Sequence, residues 1–136
     1  MPVKRYGKAK GRADQLFSEI IRSQGRCEAE AWGDRTCSAQ LQTAHIVTRK
    51  RSATRTDLRN AYALCFAHHR WFTDYPREFS HFISDTWAAN HYDSIYARSI
   101  EPTKVNWEDR VEFLKDIKRA LEAGELTIAE AREYEQ

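Results

Sequence analysis

All three cysteines of the chain and three of its five histidines fall between Cys27 and His69. Thiolate and imidazole are the ligands of structural zinc, which takes four of them in a tetrahedron, commonly one pair from a knuckle and one from a strand-to-helix turn. Cys65 and His68, separated only by Phe66 and Ala67, have the spacing of such a second pair. Cys27 and Cys37 supply the first pair, with nine residues between them, more open than a tight knuckle. The competing reading is three buried free cysteines beside an exposed histidine, which leaves a long irregular loop without support in a small core. Three cysteines cannot all pair within one chain, and in a reducing compartment such clusters mean metal more often than disulfide.

With His68 turned to zinc, the adjacent His69 points elsewhere, as neighbouring helical positions do. His45 at the end of an expected strand and His69 at the start of an expected helix then face each other across a loop, with Asn60 at the loop's return. A neutral imidazole takes a proton from water near pH 7, a divalent metal offsets the charge of a phosphorane and its leaving oxygen, and a carboxamide fixes the loop or ligates the metal. That combination suits phosphodiester hydrolysis. Alone, His45 reads as a satisfied core histidine, and its place in the trio is what makes it a candidate base. His81 and His91 read as ordinary histidines, with His81 a remote candidate for a further metal ligand if the helix after Pro76 folds back over the site.

The elements that must position these groups point to an α+β fold. Residues 14–23 read as a helix with Leu16, Phe17, Ile20 and Ile21 on one face, Asp14 near its start and Gly25 past its end. Residues 26–43 hold no helical period and suggest a knuckle or hairpin that runs into a short strand over 41–47. A basic loop follows over 48–60, then a second strand over 61–65 and a helix from His68 onward carrying Trp71 and Phe72. Past Pro76, Phe79, Phe82 and Ile83 share a helical face; a break over 87–90 precedes a short segment with Tyr92, Ile95 and Tyr96, an aromatic group expected in the core. Asn106 caps a helix with Trp107, Val111, Leu114, Ile117 and Leu121 on one face, Gly124 closes it, and Thr127 caps a last short acidic helix. The segment 99–105, with Pro102, joins helices.

At 136 residues the chain is one domain, 1–136, with the site in a core of 27–75, a basic tail over 1–12 and a helical extension over 76–136. Its 41% hydrophobic and 31% charged residues are a globular composition. No stretch approaches the roughly 20 apolar residues of a membrane span, and no apolar run follows the basic N-terminus, so the expected compartment is the cytoplasm. The net charge of +2 conceals an asymmetry: residues 1–75 carry 14 Lys and Arg against 7 Asp and Glu, residues 76–136 carry 8 against 13. A basic front half suits a polyanion such as DNA. Arg49 and Arg55, which flank the base and Asn60, are the expected phosphate grips, with Lys50, Arg51 and Arg59 as auxiliaries or as a solvated loop surface. The tail up to Arg12 fits a disordered end and a DNA-contacting arm equally. The acidic helices from Trp107 onward read as packing elements and as a candidate docking face for a protein partner.

In order and spacing, His45, Asn60 and His69 resemble the HNH, or ββα-metal, endonucleases of phages and bacteria. The likeness is carried by Leu41-Gln-Thr-Ala-His-Ile46, Arg49, Arg55, Asp57 before Asn60, Ala63-Leu-Cys-Phe-Ala-His-His69 and Trp71-Phe-Thr-Asp74, within residues 14–98. It implies two antiparallel strands and a helix around a divalent metal, and DNA cleavage to 5′-phosphate and 3′-hydroxyl ends. By the same likeness His45 is the general base, Asn60 holds the loop, and His69 ligates the catalytic metal. Two positions depart from the pattern. Ala44 stands where many members carry an acidic or histidine ligand, so the metal leans on His69, Asn60, water and the scissile phosphate. Such a site suits Mg²⁺ or Mn²⁺ and admits Ni²⁺ or Co²⁺. His68 stands where many zinc-bearing members have Cys, and His serves equally as a ligand there. A zinc-bound DNA-binding module without catalysis explains the zinc ligands and the basic half, but not the trio.

Overall fold

A strand without a charged side chain can be covered on both faces, and the sequence Ala-Tyr-Ala-Leu-Cys meets that condition at the centre of the molecule. In the structure, a computed structural model that describes residues 5–33 and 35–135, these residues form β2 (Ala61–Cys65), each of them 0% exposed. β2 pairs antiparallel with β1 (Leu41–His45), in the register Leu41 to Cys65, Thr43 to Ala63 and His45 to Ala61. One further backbone bond continues the ladder at each end, Ile46 N–H to Asn60 O and Phe66 N–H to Gln40 O, both 2.9 Å. The far edge of β2 is met by Glu28, whose amide donates to Ala63 O while its carboxylate accepts from Ala63 N–H.

Side-chain alternation along β2 feeds two separate cores. Ala61 and Ala63 face α1 (Arg5–Arg22) and α5 (Trp107–Glu122), against Leu16, Phe17, Ile20, Leu114 and Ile117. Tyr62 and Leu64 face α2 (Phe66–Asp74) and α3 (Pro76–Ser84), against Phe72, Phe82 and Ile83. Tyr62 centres an aromatic group, its ring 4.7 Å from Phe82 and 5.1 Å from Trp87. A 3₁₀ turn (Trp87–Asn90) leads into α4 (Tyr92–Ser99), and α6 (Ile128–Glu133) closes the described chain. The expected strand-loop-strand-helix order is thus present in a mixed helical fold with one two-stranded antiparallel sheet.

Three boundaries differ from the sequence reading. α1 begins at Arg5, because Ala9 and Ala13 extend its apolar stripe against α5, and Gly11 is tolerated on an exposed face. Asp14 therefore lies mid-helix, and within the tail 1–12 residues 5–12 are helical; residues 1–4 lie outside the described residues. β1 ends at His45, where the side chain of Asn60 takes over Val47 N–H. α2 starts at Phe66, capped by Cys65 Sγ, which accepts from His68 N–H. The caps at Asn106 and Thr127 are as expected, and Thr127 completes a capping box with Glu130. Among the described residues no helix is long and apolar enough to cross a membrane.

Because Leu64 fills the α2-side core from a strand that cannot shift, Leu64→Ala is expected to cost about 2–5 kcal/mol in chemical denaturation. A loss under about 1 kcal/mol would mean that this core collapses readily around the gap.

Candidate metal centre and candidate active site

The donor atoms of Cys27, Cys37, Cys65 and His68 lie within 4.8 Å of one another, and among the described residues this is the gathered group of potential ligands. His68 Nδ1 is 3.2 Å from Cys65 Sγ, 3.5 Å from Cys37 Sγ and 3.7 Å from Cys27 Sγ. A zinc tetrahedron with Zn–S near 2.3 Å and Zn–N near 2.0–2.1 Å has S···N edges of about 3.6 Å, which these distances bracket. The four residues come from three places: Cys27 at the head of a turn after α1, Cys37 on the exposed extended segment, and Cys65 and His68 across the β2–α2 junction. The wholly buried His68 ring and the cap at Cys65 put the second pair on rigid elements.

The thiols differ sharply in acidity. Burial pushes Cys27 up to about 12 and raises Cys37 as well. At Cys65 burial works upward too, but the amide and ring of His68 and the backbone and hydroxyl of Ser38 outweigh it and bring the thiol down to about 6. Three sulfurs this close do not all ionise on their own, whereas a dication among them makes the three thiolates favourable. The donor set and its spacing fit a structural zinc ion.

At the other end of the ββ pair, the His45 ring packs 5.4 Å from Phe17 of α1, and Nε2 lies 2.9 Å from Arg55 O. A carbonyl only accepts, so Nε2 carries the proton and Nδ1 keeps its lone pair. Burial holds His45 below the ordinary histidine range; the Arg55 carbonyl and Asp14 pull upward, and the Arg49 and Arg55 guanidiniums push further down. The ring is therefore neutral at pH 7. His69 is arranged in the opposite sense: Nδ1 donates to Gln42 Oε1 at 2.7 Å, which leaves the Nε2 lone pair available, and burial lowers its pKa. Ala44, His45, Leu64, His69, Phe72, Thr73 and Phe79 line one cavity of about 70 Å³. The structure thus brings His45 and His69 to a shared space.

Asn60 is 0% exposed. Its Oδ1 accepts from Val47 N–H at 2.8 Å, and its Nδ2 donates to Val47 O at 3.0 Å and Thr54 O at 2.9 Å. Both ends of the amide thus brace the loop over residues 46–60, and no part of it reaches the cavity. The hydrogen bonds fit the expected loop-holding role, and the amide does not line the cavity where a metal ligand is expected.

Two of the expected phosphate grips are engaged within the fold. Arg55 is held by Asp14 of α1 through two bonds of 2.8 Å and donates to Arg49 O. Arg59 is 8% exposed and forks onto Asp57 at 3.0 and 2.7 Å. Both guanidiniums serve the loop from inside. Arg49, Lys50 and Arg51 are exposed on it. Ala44, 2% exposed, brings no donor to the cavity. α3 does fold back, but Phe79 reaches the cavity while His81 is exposed, and His91 packs 6.2 Å from Trp87. Sequence reasoning missed Gln42 and Asp14. Strand alternation sets Gln42 on the face opposite His45, but nothing in its type marks it as the partner of His69.

No family model matches the chain, and neither does any curated protein or solved structure.

Two outcomes follow. The purified protein should carry one zinc per chain, and Cys65→Ser or prolonged chelation should release it with a drop in Tm and exposure of residues 27–40 to protease. Asn60→Asp turns a donor to two carbonyls into an acceptor and should cost about 2–4 kcal/mol in denaturant titration with the zinc retained.

Proposed function

We propose that the chain is a metal-dependent endonuclease of the HNH type that hydrolyses DNA phosphodiester bonds, with His45 as general base and His69 as protein ligand of a catalytic divalent ion. The observation that carries this reading is the complementary tautomer setting of two histidines on one cavity. Nδ1 of His45 is kept basic by the Arg55 carbonyl, and Nε2 of His69 is kept available by Gln42.

Nδ1 of His45 takes a proton from water as the water oxygen bonds to phosphorus; the bond to the 3′-oxygen then breaks and that oxygen takes a proton from solvent water, leaving 5′-phosphate and 3′-hydroxyl ends. A bound Mg²⁺ or Mn²⁺, or Ni²⁺ or Co²⁺, supplies the positive charge that stabilises the phosphorane and the departing oxygen. Arg49, Lys50 and Arg51 are placed to contact flanking phosphates of double-stranded DNA. Cys27, Cys37, Cys65 and His68 hold the α2 start, and with it His69, in register through structural zinc.

One observation favours a second reading, a zinc-bound DNA-binding module without catalysis. Around His69 the cavity wall is Ala44, Leu64, Phe72 and Phe79, with no carboxylate among them.

Supercoiled plasmid incubated with Mg²⁺, Mn²⁺, Ni²⁺ or EDTA separates the two. Metal-dependent nicking or linearisation that falls about 10²–10⁴-fold in His45→Ala, with zinc content unchanged, supports the nuclease. Salt-sensitive DNA binding without cleavage under any metal supports the binding module. The base works unprotonated, so cleavage should fall as pH drops through a midpoint below the ordinary histidine value of 6.5, the direction set by burial of His45.

A further inference from the structure

The loop that fixes the His45 ring is gripped from the far side by the helical extension. Arg110 of α5 donates from Nε to Thr56 Oγ1 at 2.9 Å and from Nη2 to Thr56 O, and it pairs with both oxygens of Glu135. Glu135 in turn accepts from Leu58 N–H at 2.7 Å, and Arg132 donates to Leu58 O at 3.0 Å. Thr56 and Glu135 are 3% and 8% exposed, so these bonds are made where water competes poorly. The Arg55 carbonyl that accepts from His45 Nε2 belongs to the peptide joining Arg55 to Thr56; Arg110 holds the Thr56 side chain and the carbonyl of the next peptide, and so anchors the C-terminal side of that planar unit through the Thr56 Cα. On its N-terminal side the Arg55 side chain forks onto Asp14 of α1.

We propose that Arg110 and Glu135 are positioning residues for His45: they hold the Arg55–Thr56 peptide, and through its carbonyl the tautomer and orientation of the ring. The helices after residue 106 are then part of the site's rigid frame and not an appendage to it. The catalytic consequence rests on the nuclease reading above; the placement of the ring does not.

The test is nitrogen-15 NMR of the histidine rings in the zinc-loaded full chain, run beside plasmid cleavage. In the wild type, His45 is the Nε2–H tautomer. In Arg110→Ala its resonances should shift to a mixture of tautomers while those of His69 stay unchanged, and kcat should fall on the order of tenfold with KM for plasmid and zinc content unaltered. Arg110→Lys, which keeps one donor toward Thr56, should recover part of both signals. A folded Arg110→Ala protein with an unaltered His45 tautomer and kcat overturns the proposal. If Arg110→Ala does not fold, Thr56→Val removes only the hydroxyl acceptor: a smaller change in the same direction, about threefold in kcat, supports the proposal, and an unchanged ring overturns it. A wild type that never cleaves defeats the nuclease reading, and the ring spectra still decide the clamp.

Discussion

β2 is buried on both faces, and each of its ends carries a different chemical duty. At one end Asn60 turns the loop back and keeps it braced; at the other Cys65 caps α2 and offers the most acidic of three clustered thiols. A two-stranded sheet is marginally stable by itself, so the strand keeps its place only because α1 and α5 cover one face and α2 and α3 the other. The zinc-type cluster and the histidine pair are coupled through this one element, since a shift of β2 along its axis would move Cys65 and Asn60 together. A one-residue slip of register would also turn Tyr62 and Leu64 out of their core.

How much of this the sequence revealed depends on how local the cause was. β2 was legible to the residue, because an uninterrupted apolar run bounded by Asn60 and the Cys65 cap leaves little choice. So were the caps at Asn106 and Thr127, which act within one turn. The start of α1 was not: Gly7, Lys8, Lys10 and Gly11 have weak or polar signals, and what makes the segment helical is its contact with α5, about a hundred residues away in sequence. The four cysteine and histidine ligands were legible from type and clustering alone, although the open spacing of Cys27 and Cys37 carried no tight-knuckle pattern.

The arginines show where such reasoning stops. Arg49, Lys50, Arg51, Arg55 and Arg59 look alike in the sequence, yet Arg55 and Arg59 are held by Asp14 and Asp57. Phosphate affinity comes from charges that remain solvated until the ligand arrives, so the count of 14 Lys and Arg over residues 1–75 overstates the cations open to a phosphate. Other front-half charges are matched across the fold too, as in Lys118 with Glu19 of α1. Net charge by segment cannot register such pairings, because it counts charges without their partners.

Ala44 remains the residue on which the functional argument turns. Under the proposed nuclease reading, the two imidazoles beside one cavity, held in opposite tautomers, are a base and a metal ligand. Both rings are half-buried, and each has one nitrogen hydrogen-bonded within the fold. Here the partners are a backbone carbonyl for His45 and the side chain of Gln42 for His69, and the carbonyl lies in a segment braced by Asn60, Asp14, Arg110 and Glu135. Such bracing around one carbonyl would serve the proposed base, whose orientation must be fixed. A single imidazole is a sparse ligand set, but Mg²⁺ keeps several of its waters and takes further oxygens from phosphate. In the proposed nuclease, Ala44 would then weaken metal binding in the absence of DNA without removing the means of catalysis, and affinity for the ion would be coupled to the presence of substrate.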